Sequence, residues 1–526
     1  MENTPHARDG TPQVPPATPV AVIDIGATSI RMAIGEIGSA GSVRTLESLS
    51  QAVSLGKDTF SEGSIRKSTI EHCVRVLKSY RESLKQFQIS DPARIRVVAT
   101  SAVREARNRM AFIDRIYIAT GLEVEPIDEA EENRVTYLGV QQLLRGESSA
   151  AEASTIVTEV GGGSTELLQV KDGNVVFAHS FRLGSLRIRK SLEGYDASPS
   201  KLRKVMTTQI QRAVDEMRQQ ILQDAPIEMI AQGGDVRFAA DHLVPDRAAD
   251  TLTRVSAAEL EAFTNRLVKM ADDQIVRRYH LSYPAAETVG PALLTYVLLA
   301  RAFRLEHVLV ANTNLRDGLL REMAVRQAWT PEFRRQIVRS AVSLGSKYDY
   351  DAVHAQHVAD LASKLFHQLQ AEHRLDARHE TILHIAALLH GVGAFVNSRN
   401  LHKHSMYLIQ NSEVFGLGKR SLLLVALVAR YHRRASPQPA HEGYANLARD
   451  DRVAVAKMAA LLRVALALDE SRSQRIREFT CNVEKSRLVI TIPRADDLSL
   501  EQLAMNQNST LFEEVFGLPV LLRLSR

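Results

Sequence analysis

Residues 158–166 read Thr158-Glu159-Val160-Gly161-Gly162-Gly163-Ser164-Thr165-Glu166. The β-branched run Thr155-Ile156-Val157 just ahead of them predicts a buried strand. An acid ends that strand; three glycines, two hydroxyl residues and a second acid follow. Glycine lets a backbone turn tightly and come close to a ligand. Successive N–H groups exposed in such a turn form an anion-binding nest. The flanking carboxylates cannot serve the same anion directly. They suit a cation that bridges to it, or a water molecule that attacks it. The stretch reads as a phosphate-and-metal loop with a catalytic acid beside it.

The pattern occurs twice. Val20-Ala21-Val22-Ile23-Asp24-Ile25-Gly26-Ala27-Thr28-Ser29 is followed by Ile30-Arg31-Met32-Ala33-Ile34. Both copies read strand, acid, one residue, glycine, small polar turn, second strand. Asp24 aligns with Glu159, and Gly26 with Gly161. Such a duplication predicts two related lobes with a ligand clamped between them.

At 526 residues the chain has room for about three domains. Its 45% hydrophobic and 24% charged residues belong to an ordinary globular protein. A net charge of +5 permits a polyanionic ligand without requiring one. Cys73 and Cys481 lie far apart and show no metal spacing, which suits a reducing cytoplasm. Met1 to Thr18 has no apolar core of a signal peptide and reads as a flexible tail. No apolar run reaches the roughly 20 residues of a membrane span.

Between the two copies, strands alternate with helices, so this half of the chain is α/β. The strand 94–100 runs into Ser101-Ala102-Val103-Arg104, where hydroxyls and an arginine at a helix start suit an anion. Asp128-Glu129-Ala130-Glu131-Glu132 opens the next helix. Acids are favoured at a helix N-terminus, and one of them is free to point into a cleft. Gln232-Gly233-Gly234-Asp235-Val236-Arg237 is a third glycine turn after a strand. Beyond about residue 330 strand signals vanish until 488–492. The helices there carry many histidines, among them His354, His357, His384, His390, His402 and His404. They read as structural or anion-facing rather than as a metal site.

These motifs, in this order, resemble the exopolyphosphatase / guanosine pentaphosphate phosphohydrolase family of the actin–sugar kinase–Hsp70 superfamily. The anchors are VIDIGATSIRM (22–32), VVATSAVREARN (97–108), EENRVTYLGV (131–140), EVGGGSTEL (159–167), GGDVR (233–237) and NLRDGLL (314–320). The resemblance implies an α/β N-terminal half of two ribonuclease-H-like lobes and an all-α HD-like C-terminal domain with a small α+β tail. The expected boundaries are a tail over 1–18, lobe I over 19–140, lobe II over 141–328, the helical domain over 329–475 and the tail segment over 476–526.

It further implies a cytoplasmic exopolyphosphatase that releases orthophosphate from the end of inorganic polyphosphate with Mg²⁺. Glu132 would orient or deprotonate the attacking water, and Glu166 would act with it. Asp24 and Glu159 would handle the metal. Gly26, Ala27, Thr28, Ser29, Gly161, Gly162, Gly163, Ser164, Thr165 and Arg104 would bind phosphate. Arg187, Arg189, Lys190, His402, Lys403 and His404 would line a track for the polyphosphate chain. A homodimer is expected, and neither nucleic acid nor membrane is a partner. The other readings are a guanosine pentaphosphate hydrolase of the stringent response, a weakly active or non-catalytic sensor of polyphosphate or guanosine penta/tetraphosphate, and a kinase of the same superfamily. The chain departs from the family pattern at Ala27 and Thr28 (usually Ser-Asn), at Glu159 (usually Asp), at Asp235 (usually Thr) and at Gly391 after His390 (usually Asp).

Overall fold

The computed structural model describes residues 17–38, 41–146, 154–195, 198–246, 248, 251–325, 329–433, 435–493 and 497–525. Most of the expected N-terminal tail lies outside them. The chain forms two compact units. The first takes in 1–128, 132–173 and 180–328; the second takes in 129–131, 174–179 and 329–526.

The N-terminal half of the chain holds two sheets. One has the strands β1 (Thr18–Ile25), β2 (Ser29–Ile37), β3 (Val43–Ala52), β4 (Ile95–Ala99) and β5 (Val124–Pro126), in the order β3-β2-β1-β4-β5. The helices α1 (Lys67–Gln86) and α2 (Glu129–Gly146) also belong to this half of the chain. The other sheet has β6 (Ser154–Val160), β7 (Thr165–Lys171), β8 (Asn174–Phe181), β9 (Ile227–Gln232), β10 (Thr253–Ser256) and β11 (His307–Val310), in the order β10-β11-β9-β6-β7-β8. With it stand α3 (Gly234–Leu243), α4 (Tyr283–Ala302) and α5 (Leu315–Val325).

The two sheets share one plan. In each, an antiparallel hairpin (β1–β2, β6–β7) is extended by a parallel strand on the side of its first member (β4, β9). This is the pair of related lobes that the duplicated motif predicts, of the ribonuclease-H-like kind that the resemblance implies. The edge strands β3 and β10 carry no strong sequence signal and emerge only from pairing with β2 and β11.

β1 shows why its sequence is apolar throughout. Successive side chains of a strand point to opposite faces. Ala21, Ile23 and Ile25 pack with Met32, Leu77 and Phe112 on one face. Val20 and Val22 pack with Val98, Leu319 and Leu320 on the other. With both faces covered, the strand reads as a continuous hydrophobic run. That double anchoring fixes where β1 ends, and so where the turn after Asp24 stands.

The second unit is mostly helical. It includes α6 (Ala352–Gln368), α7 (Ala377–Leu389), α8 (Leu401–Gln410), α9 (Lys419–Arg430) and α10 (Arg449–Leu468), and a small sheet of β12 (Thr480–Glu484), β13 (Arg487–Ile492) and β14 (Val520–Leu524). No helix among the described residues is long and apolar enough to cross a membrane.

Candidate active site

The two glycine turns are built alike. The Gly26 N–H donates to the Ser29 carbonyl at 3.0 Å, and the Gly161 N–H donates to the Ser164 carbonyl at 2.9 Å. Among the described residues, the N–H groups of Ala27, Thr28, Gly162 and Gly163 donate to no backbone carbonyl. They are left available to an anion. The turns also face each other: a Cβ on Gly162 would stand 3.0 Å from that of Ala27, and one on Gly163 would stand 2.3 Å from the Ser101 hydroxyl. Gly184 lies so close beneath the second turn that a Cβ there would meet the Gly162 carbonyl at 2.3 Å.

Both turns line a cavity of about 420 Å³. Asp24, Glu132, Glu159 and Glu166 also line it, with Arg31, Arg316, Asp235 and Phe238. Cross-strand register explains the grouping, because Asp24 stands opposite Arg31 and Glu159 opposite Glu166. Glu132 comes from the first turn of α2.

Burial governs the acids. It pushes the Glu132 carboxyl up to about 7, against the pull of Arg104 and with help from the charges of Glu159 and Asp24. Glu166 is raised well above the usual carboxylate range by burial and by Glu132, although the Ser164 and Ser180 hydroxyls hydrogen-bond to it. Glu159 is raised by burial, with Arg237 opposing. Two neighbouring carboxyls in unlike surroundings are the usual basis of an acid/base division of labour.

Two of the expected phosphate ligands, Arg104 and Thr165, do not line the cavity. The Arg104 guanidinium donates to the Glu132 carboxylate at 3.0 Å and to the Ile127 carbonyl at 2.8 Å. The Thr165 hydroxyl donates to the Leu183 carbonyl and is fully buried. The expected track residues nearby are tied to acids. Arg187 bonds Glu105 at 2.7 Å and the Gly163 carbonyl at 2.8 Å, and lies over the Phe60 ring. It therefore braces the glycine turn. Arg189 bonds Asp272 at 2.7 Å, and Lys190 bonds Glu193 at 2.5 Å. His402, Lys403 and His404 stand on α8 in the second unit.

The cations that do line the cavity are Arg31 and Arg316. Arg316 is buried, stands 3.5 Å from Asp24, and has an Nη1 with no hydrogen-bond partner. Arg31 stands 4.0 Å from Asp24. Arg31 and Arg316 were readable within VIDIGATSIRM and NLRDGLL, but only hairpin register and fold show where they point.

Among the described residues, no cluster of three or more His, Cys, Asp or Glu side chains converges to hold a metal ion. Mg²⁺ needs less: it takes one or two carboxylates and completes its shell with water and substrate phosphate. Glu159 makes no hydrogen bond or ion pair with a described residue, so it fits that mode, whereas Asp24 already stands beside Arg316 and Arg31.

In the second unit His354, His390 and His432 form a string, with ring centroids 5.6 and 5.2 Å apart. His354 Nδ1 meets Asp469 at 2.8 Å. His390 and His432 donate from Nδ1 to the Ala387 and Ala429 carbonyls. Burial holds His390 down to about 4 and His432 well below the usual range, so both are neutral.

A family model described as the Ppx/GppA phosphatase family matches residues 34–327, more than half of the chain. The chain belongs to the Ppx/GppA phosphatase family. A second model of it, Ppx/GppA phosphatase domain III, matches residues 337–524. The chain is accordingly a phosphatase of phosphoanhydride bonds. A guanosine-5'-triphosphate,3'-diphosphate pyrophosphatase from Photobacterium profundum is 23% identical over 97% of this chain and 99% of its own. The crystal structure of an exopolyphosphatase from Cytophaga hutchinsonii is 22% identical, with a TM-score of 0.54 over 59% of this chain and 98% of its own. That of an exopolyphosphatase-like protein is 21% identical, with a TM-score of 0.52 over the same shares. At those identities the two structures speak for the Ppx/GppA fold.

Proposed function

We propose that the protein removes the terminal phosphoryl group of a polyphosphorylated substrate as orthophosphate. The observation that carries this is a pair of matching N–H turns facing each other beside a buried glutamate poised near pH 7. The N–H groups of Ala27, Thr28, Gly162 and Gly163 receive the terminal phosphate oxygens. Arg31 and Arg316 offset its charge. Glu132 takes a proton from a water molecule whose oxygen bonds to the terminal phosphorus, while the bridging P–O bond breaks and the shortened chain leaves. Arg104 orients Glu132. Glu166, whose carboxyl burial pushes towards the protonated form, stands beside it in the cavity. Phosphoryl transfer needs such positioning and charge neutralisation more than covalent chemistry. Mg²⁺ held at Glu159 would supply charge neutralisation on the phosphate oxygens.

Inorganic polyphosphate and guanosine pentaphosphate both present such an end. The site motifs do not separate the two, and polyphosphate was the leading expectation. The relative that spans nearly the whole chain is named for the guanosine substrate. The test is orthophosphate release from each with Mg²⁺, repeated after chelation. Release from at least one, lost with EDTA and restored by Mg²⁺, is expected; binding of both with no release would leave the sensor reading.

A further inference from the structure

Asp235 has no part in the mechanism above, yet its carboxylate faces the same cavity. It stands in the first turn of α3, where an acid is often present only to complement the helix dipole. That role does not account for it, because the carboxylate makes no hydrogen bond with the helix N–H groups and no ion pair with any described residue. The nearest charges are Arg31 and Arg237. Arg31 reaches towards Asp24, and Arg237 donates to the Thr313 carbonyl at 3.2 Å.

An unpaired carboxylate accepts hydrogen bonds and donates none. A bare phosphate chain offers it only like charge, and such a mismatch selects against a ligand as effectively as a good contact selects for one. A ring with adjacent N–H donors satisfies it. One helical turn on, the aromatic side chain of Phe238 lines the same cavity. That ring is held by Tyr279, Phe263 and His242, at centroid distances of 5.6, 5.9 and 4.5 Å. A flat, donor-bearing base can rest on Phe238 and donate to Asp235 while its phosphates run to the glycine turns.

We infer that Asp235 sets substrate choice in this cavity, admitting a nucleoside polyphosphate whose base presents two adjacent N–H donors, as guanine does, and turning away inorganic polyphosphate. The inference rests on the hydrolysis reading above. Where a site hydrogen-bonds a substrate N–H, discrimination against a ligand lacking it is large.

The experiment compares wild type with Asp235→Asn, which keeps the shape and removes the charge, and with Asp235→Thr. The readout is kcat/KM for orthophosphate release from guanosine pentaphosphate divided by that from long-chain polyphosphate. In both variants the ratio is expected to fall about tenfold or more, with polyphosphate turnover rising. An unchanged ratio, or equal loss on both substrates, overturns the inference while leaving hydrolysis intact. No release from either substrate by wild type overturns the hydrolysis reading and this inference with it.

Discussion

Glu132 shows how a single contact tunes the candidate base. Burial alone favours the protonated acid, and Arg104, 3.0 Å away, pulls the other way. The balance falls at about 7, where a general base works best at neutral pH. A base acts deprotonated, so kcat/KM should climb through this value as pH rises and then level. Arg104→Met removes the opposing charge. It is expected to move that acid limb to higher pH with little change in KM. A limb that stays put while KM rises about tenfold would restore Arg104 to the phosphate-contacting role expected from sequence. Asp24, Glu159 and the glycines were legible because strand, acid and turn are adjacent in the chain, whereas Glu132, on a helix, was singled out only through the family resemblance. The Arg104–Glu132 pair was not legible, because its members lie 28 residues apart and meet only when β4 and α2 are in place. The same holds for Arg187 and Arg189, whose partners Glu105 and Asp272 are distant in sequence.

At the scale of elements, the cavity exists because two parallel strands part company. β6 and β9 remain in register to Glu159 and Gln232 and then diverge into their glycine turns. Tyr296 on α4 bridges the gap: its hydroxyl donates to the Gln232 carbonyl and accepts from the Val160 N–H at 2.8 Å. The ring is fully buried. Tyr296→Phe leaves a buried donor and a buried acceptor unpaired, which costs about 1–3 kcal/mol. A melting temperature lower by roughly 2–8 °C is expected. An unchanged transition would mean that the strands hold their spread without the phenol. Nothing local marks Tyr296 in the sequence, where it lies in an apolar helix. The hairpins, by contrast, were legible from β-branched runs broken by glycine. The edge strands β3 and β10 were missed because their pairing depends on neighbours already folded, not on their own alternation.

Taken whole, the molecule carries +5, yet its candidate cavity gathers five acids against Arg31 and Arg316. Such a cavity repels a polyanion unless protons or a cation offset the acids. Burial supplies part of this by raising Glu166 well above the usual carboxylate range and holding Glu132 near 7, and the Mg²⁺ of the proposed function would supply the rest. The central claim is that Glu132 activates water in this cavity. The measurement that tests it is orthophosphate release by wild type and by Glu132→Gln, with Mg²⁺ and saturating guanosine pentaphosphate or polyphosphate. The variant is expected to bind substrate and to lose about 10²–10⁴ in kcat, as the removal of a general base does. A variant that turns over within a few-fold of wild type would contradict the account.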